Sequence, residues 1–119
     1  REFITDGRRI SVVLKNLLSN AIRYHNYTRA DQYIRVNIEY KAGKAIISIS
    51  DNGIGIDHKH QEDIFKMFFR ANETSKGSGL GLYIVKETVD KLGGTIEVKS
   101  KPFEGSTFTV TLPSLKLTV

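Results

Sequence analysis

Residues 33–51 read Tyr33-Ile34-Arg35-Val36-Asn37-Ile38-Glu39-Tyr40-Lys41-Ala42-Gly43-Lys44-Ala45-Ile46-Ile47-Ser48-Ile49-Ser50-Asp51. Over 33–40, Tyr33, Arg35, Asn37 and Glu39 alternate with Ile34, Val36, Ile38 and Tyr40. A period of two sends the two sets to opposite faces, which predicts a half-buried strand. Ala42-Gly43 supplies a short turn, and residues 45–50 predict a second strand with Ile47 and Ile49 on one side. The pair reads as an antiparallel hairpin.

Upstream, residues 8–25 change period. Ile10, Val13, Leu14, Leu17, Leu18 and Ala21 recur at helical spacing, with Asp6 placed to cap the helix start. Residues 26–32 are polar and read as a loop. Downstream, Asp51-Asn52-Gly53-Ile54-Gly55-Ile56-Asp57 is a glycine-containing loop. Residues 60–69, with Ile64, Phe65, Phe68 and Phe69, predict a short helix. Residues 70–78 are polar and lack periodicity, as a mobile stretch would. A further helix is expected from about Gly79 to Leu92, striped by Leu82, Val85, Val89 and Leu92 and ended by Gly93-Gly94. Residues 95–100 and 106–112 predict two more strands. The expected fold class is α+β: a two-layer sandwich of one antiparallel or mixed sheet with helices on one face.

A chain of 119 residues fits one domain, and 39% hydrophobic residues suffice for a core. No apolar run approaches the roughly 18 residues of a membrane-spanning helix, and Arg1 to Asp6 lacks the pattern of a signal peptide. The absence of cysteine excludes disulfides, thiolate metal sites and cysteine nucleophiles. The net charge of +5 is spread along the chain, which favours a solvated basic surface over a nucleic-acid footprint.

Three segments carry candidate chemistry. Asn16 and Asn20 share a helix face, with Arg23 on its flank, at the border of the apolar stripe. An amide oxygen there is a hard neutral ligand for magnesium, and Arg23 can pair with phosphate; the same residues could simply border a core helix. Asp51 at a strand end can accept from the exocyclic amine of an adenine, while Gly53 and Gly55 admit a flat ring; an Asn-Gly pair is also an ordinary hairpin turn. Gly77-Ser78-Gly79-Leu80-Gly81-Leu82 before a helix frees N–H groups for an anion. It is neither a Walker loop nor the dinucleotide fingerprint; phosphate contact is the favoured reading, and a flexible loop end with close packing of Gly81 is the alternative. His25, His58 and His60 lack the spacing of ligands on one helix face and read as surface residues.

Taken in order, Asn-Leu-Leu-Ser-Asn-Ala, Asp-Asn-Gly-Ile-Gly-Ile, Ile-Phe-Lys-Met-Phe-Phe-Arg, Gly-Ser-Gly-Leu-Gly-Leu and Glu104-Gly105-Ser106-Thr107 resemble the ATP-binding catalytic domain of two-component sensor histidine kinases, across nearly all of residues 1–119. They look like its N box, first glycine box, F box, second glycine box and final glycine box, on the Bergerat ATP-binding fold. The resemblance implies ATP and Mg2+ as cofactors, with Asn20 holding the metal and Asn16 supporting metal and phosphates. Arg23 stands where lysine is usual, facing phosphates, and Tyr24 follows near the base. Asp51 would read the adenine amine, with Gly53, Gly55 and Ile56 around the base and Thr107 beneath it. Arg70, Gly77, Gly79, Leu80 and Gly81 would meet the phosphates, and residues 57–77 resemble a short ATP lid. Val12 occupies a place where relatives often carry glutamate or glutamine.

By the same resemblance, the domain would donate the γ-phosphoryl group to a histidine on a separate helical dimerisation domain, expected upstream of Arg1. It would then contain no catalytic residue of its own and turn ATP over poorly alone. Expected partners are that domain and a downstream response regulator. A cytoplasmic placement, within a homodimeric and membrane-tethered parent, fits the same family. The alternatives are a serine kinase of the anti-sigma-factor type and a non-catalytic nucleotide-binding module on the same fold. A nucleic-acid partner is not expected.

Overall fold

The computed structural model of the chain describes residues 5–26, 28–70 and 79–114. Helix α1 runs Gly7–Arg23, strand β1 Ile34–Lys41 and strand β2 Lys44–Asp51. A 3-10 turn at His58–His60 precedes helix α2, Gly81–Lys91, and strands β3, Thr95–Lys101, and β4, Gly105–Pro113. The strands form one four-stranded sheet in the order β1-β2-β4-β3, and all three pairings are antiparallel.

Local chemistry sets the ends of these elements. Asp6 Oδ1 accepts the N–H groups of Arg8 at 3.0 Å and Arg9 at 3.2 Å, which starts α1 as expected. Ala42 and Gly43 both take positive φ, the backbone of a tight hairpin turn between β1 and β2. α2 ends where Gly93 turns left-handed and the Gly94 N–H donates to Val89 O at 3.0 Å. The expected short helix at 60–69 is not formed. The 3-10 turn gives way to successive turns, with Phe68 left-handed at φ 63.

The helices pack against each other and cover one side of the sheet. Val13 and Leu17 of α1 meet Val85 and Val89 of α2 above Ile47, Ile49, Phe108, Val110 and Leu112. Each such side chain contributes about 1.5–3 kcal/mol by leaving water. β2 and β4 alternate buried with half-buried residues. β1 departs from expectation. It was read as half buried, yet all eight residues are exposed, with Val36 at 49% and Ile38 at 63%. Of the two edge strands, β3 packs against α2, whereas β1 lies beyond the shelter of the helices, which meet β2 and β3. Among the described residues no helix is long and apolar enough to cross a membrane.

Candidate functional site

The strand order brings the end of β2 beside the start of β4, and Asp51 pairs with Ser106. Asp51 has the parity of Ile47 and Ile49, so its side chain lies on the helix side. It is only 8% exposed, and Oδ1 accepts the Gly53 N–H at 2.9 Å. Burial raises its pKa above the ordinary carboxylate value, against the opposing pull of backbone bonds from Gly53 and Ser106. A desolvated acceptor suits a neutral donor such as a base amine.

The glycine loop after Asp51 is clamped on two sides. Ile54 N–H donates to Tyr24 O at 2.9 Å, which ties the loop to the end of α1. Phe103 N–H donates to Ile54 O at 2.6 Å, which ties it to the β3–β4 turn. A Cβ on Gly53 would overlap Tyr24 O, and one on Gly55, at φ +72, would overlap Lys101 O. Both glycines are therefore required by close backbone approach. Ser100 Oγ joins the same knot: it accepts Ile56 N–H at 2.8 Å and bonds Gly105 O and Ser106 Oγ, each at 2.8 Å.

Between this loop and the helices lies a cavity of about 350 Å³, lined by Asn20, Tyr24, Gly55, Ile56, Leu82 and Phe69, among others. Asn20 is only 6% exposed, and its side-chain amide makes no hydrogen bond among the described residues. Among the described residues no fully sealed side-chain atom lacks a partner, so the amide opens to the cavity that Asn20 lines. A buried amide without a protein partner is costly unless something else meets it. Asn16 differs: its Nδ2 donates to Val12 O at 2.8 Å, leaving Oδ1 against Gly81, where a Cβ would sit 3.2 Å away. The start of α2 thus abuts Asn16, and its N-cap residue, Leu80, offers no side-chain cap.

The structure brings together Asn20, Tyr24, Gly55 and Ile56 around the cavity, with Asp51 and Gly53 on the adjoining loop and Asn16 beside Gly81. Gly79, at φ +77, lies against the Phe68 backbone and its carbonyl accepts Phe68 N–H at 2.9 Å, with Leu80 next to it. Arg23 and Arg70 are exposed and line none of the cavities described here. Thr107 does not line this cavity: its hydroxyl meets Ser50 Oγ at 3.0 Å on the helix-free face. It lines a second concavity of about 640 Å³ with Asp51, Arg35, Lys99 and Lys101, so the structure brings Thr107 beside Asp51. Gly77 and Ser78, and the part of the expected lid from 71 to 77, lie outside the described residues.

Other residues emerge from the structure alone. Asn52 is 2% exposed and structural: it accepts Tyr33 N–H and donates to Asp31 O, both at 2.9 Å, and so fixes the approach to β1. His60, expected as a plain surface residue, lines the cavity and stands 5.6 Å from the Phe69 ring. Phe69 and Leu82, read from sequence as apolar periodic positions, also face it. Ser100 gave no signal in the sequence, because a lone serine in a strand looks like any solvent-facing residue.

Comparison with known proteins places this geometry. Residues 5–116 match the family described as histidine kinase-, DNA gyrase B-, and HSP90-like ATPase. The sensor-like histidine kinase SenX3 of Mycobacterium tuberculosis is 40% identical over 114 residues, covering 92% of this chain and 27% of that protein. The sensor histidine kinase YcbM of Bacillus subtilis is 39% identical over 104 residues, covering 84% and 32%. Among solved structures, the catalytic domain of histidine kinase ThkA superposes with a TM-score of 0.76 at 33% identity, over 92% of this chain and 70% of that one. The chain spans a third or less of these full-length kinases. The chain belongs to the histidine kinase-, DNA gyrase B-, and HSP90-like ATPase family, as an ATP-binding domain of the sensor histidine kinase kind.

Proposed function

We propose that this domain binds Mg-ATP and presents its γ-phosphoryl group to a histidine on a separate helical domain of a two-component kinase. The observation that carries the reading is the buried amide of Asn20, without a partner among the described residues, facing a cavity walled by Ile54, Gly55 and Ile56 of the loop that starts at the desolvated Asp51. Asp51 would accept from the adenine amine, and Tyr24 and Ile56 would hold the base. Gly81 and Asn16, at the start of α2, would meet the phosphates through backbone N–H groups and an amide. The exposed Arg23 and Arg70, with Gly77, Gly79 and Leu80 nearby in the chain, are further phosphate contacts in this reading, and Thr107 would act from beneath the sheet end.

Magnesium fits the donor set. Asn20 offers one hard, neutral oxygen, which suits a small cation that keeps most of its waters and takes the rest of its ligands from phosphate. Bound there, the metal would neutralise charge on the phosphates. Phosphoryl transfer needs chiefly positioning and charge stabilisation, which this chain would supply. The attacking imidazole nitrogen comes from the separate domain; the bond to γ-phosphorus forms as the bond to the β,γ-bridging oxygen breaks and ADP leaves.

Calorimetric titration with a non-hydrolysable ATP analogue, with and without magnesium, tests the binding half. Wild-type chain should bind in a magnesium-dependent way, and Asn20→Asp and Asp51→Asn should each weaken it. Equal affinity in Asp51→Asn removes the adenine assignment. The transfer half is read by adding a helical acceptor domain with labelled ATP. Acid-labile label on that domain marks phosphohistidine, and acid-stable label marks a serine kinase instead.

A further inference from the structure

The β3–β4 turn carries an aromatic residue that the proposed mechanism leaves unused. Phe103 holds φ +62, a left-handed backbone that residues other than glycine rarely adopt. Its ring is 72% exposed, the highest value among the large apolar side chains described. It is not loose, because its N–H donates to Ile54 O at 2.6 Å and the neighbouring Lys101 carbonyl lies against Gly55. The backbone that carries the ring is therefore held beside the glycine loop, and Phe103 lines the 350 Å³ cavity shared by Asn20, Tyr24 and Ile56.

We infer that Phe103 is a base-contacting residue, its ring stacking on the purine of the bound nucleotide from the side of the β3–β4 turn. The inference rests on the nucleotide-binding reading above and adds a contact to it. A strained backbone is retained where surrounding structure holds it, and such outliers gather at ligand sites. Here the hydrogen bond to Ile54 holds the turn, and the loop it holds is the one that starts at Asp51. That is the base end of the site; the phosphate end is the start of α2 at Gly81. An exposed, uncharged ring at the base end offers a π face, which suits a flat heterocycle and gives nothing to a phosphate. Stacking would also bury apolar area that the free protein leaves in water.

The chain contains no tryptophan, so Phe103→Trp provides a single fluorescent reporter at this position. Titration with Mg-AMPPNP should shift and quench its emission, whereas Ile38→Trp on the exposed edge strand should stay silent. Affinity should fall roughly 5- to 100-fold in Phe103→Gly and Phe103→Leu, and hold within about threefold in Phe103→Tyr. Phe103→Gly should melt no lower than wild type, because glycine accepts the left-handed backbone freely. Wild-type affinity in Phe103→Gly or Phe103→Leu, or a silent Phe103→Trp that still binds, overturns the inference while leaving the nucleotide site intact. A wild-type chain that binds no Mg-AMPPNP overturns the nucleotide reading, and this inference with it.

Discussion

The Tyr24 carbonyl accepts the Ile54 N–H at 2.9 Å and lies where a side chain on Gly53 would have to go. One backbone oxygen thus fastens the last turn of α1 to the loop that follows Asp51. Replacing Gly53 with alanine would drive a methyl group into that oxygen. The loop must then move, or the helix end must, at a cost of about 1–3 kcal/mol. Gly53→Ala should lower the melting temperature and weaken nucleotide-analogue binding together. Normal melting and normal binding would show that the clamp is soft.

Asn20 should separate stability from binding. Its buried amide makes no bond among the described residues, so an apolar side chain of similar size removes a desolvation cost. Asn20→Leu is expected to melt at or above the wild-type temperature. It should lose magnesium-dependent affinity for an ATP analogue on the order of 10- to 100-fold, the worth of one hydrogen bond or ligand to a charged group. A large fall in melting temperature would mean that the amide is satisfied inside the fold.

Asp51 should give the domain a pH signature. Burial raises its pKa from the ordinary 3.8, so the folded state holds the proton more readily than the unfolded chain. The stability tied to this group is fully present below that ordinary value and is lost as pH rises through the raised one. Asp51→Asn lacks the step. Its stability relative to wild type should therefore increase between acid and neutral pH, as read by denaturant melts across that range. Affinity for an adenine nucleotide should move the opposite way in the wild type, falling on acidification as the carboxylate loses its charge. A stability difference that does not vary with pH would remove the desolvation account.

Ser100 should prove costly to replace for a residue on a half-buried strand position. Its hydroxyl accepts Ile56 N–H and bonds two partners across the β3–β4 turn. Ser100→Ala leaves Ile56 N–H without that acceptor and should destabilise by about 1–2 kcal/mol in chemical denaturation. Ser100→Thr retains the hydroxyl and should recover most of the loss. Equal stability in Ser100→Ala would mean that solvent serves Ile56 as well as the hydroxyl does.

The sequence made the elements and their order readable because each announces itself locally. Alternation marks β2, the Leu-and-Val stripe marks α1, and the Gly93-Gly94 pair ends α2. Two features were not readable. The exposure of β1 depends on which edge of the sheet the helices leave uncovered, a property of the assembled fold that the alternation of 33–40 cannot carry. The turns at 61–68 share their aromatic content with a helix, and tertiary contacts such as Phe68 with Gly79 decide between them. In the site, Asn20, Asp51 and the loop glycines were legible because their residue types are unusual where they occur. Thr107 stands beside Asp51 only because β2 and β4 pair, with its hydroxyl on Ser50, a neighbourhood that local alternation does not announce. Ser100 and Phe103 gained their parts only when the β3–β4 turn met the glycine loop in space.

The uncovered edge strand has a colloidal consequence. Among the described residues β1 pairs with β2 alone, and its free side is backed by Val36 and Ile38 in water. Such an edge can template the addition of another strand, and the charges of Arg35, Glu39 and Lys41 along it work against that. Salt weakens this protection by screening those charges, while it leaves the apolar attraction in place. The domain on its own should therefore be most soluble at low ionic strength and should lose clarity first as salt and concentration rise together.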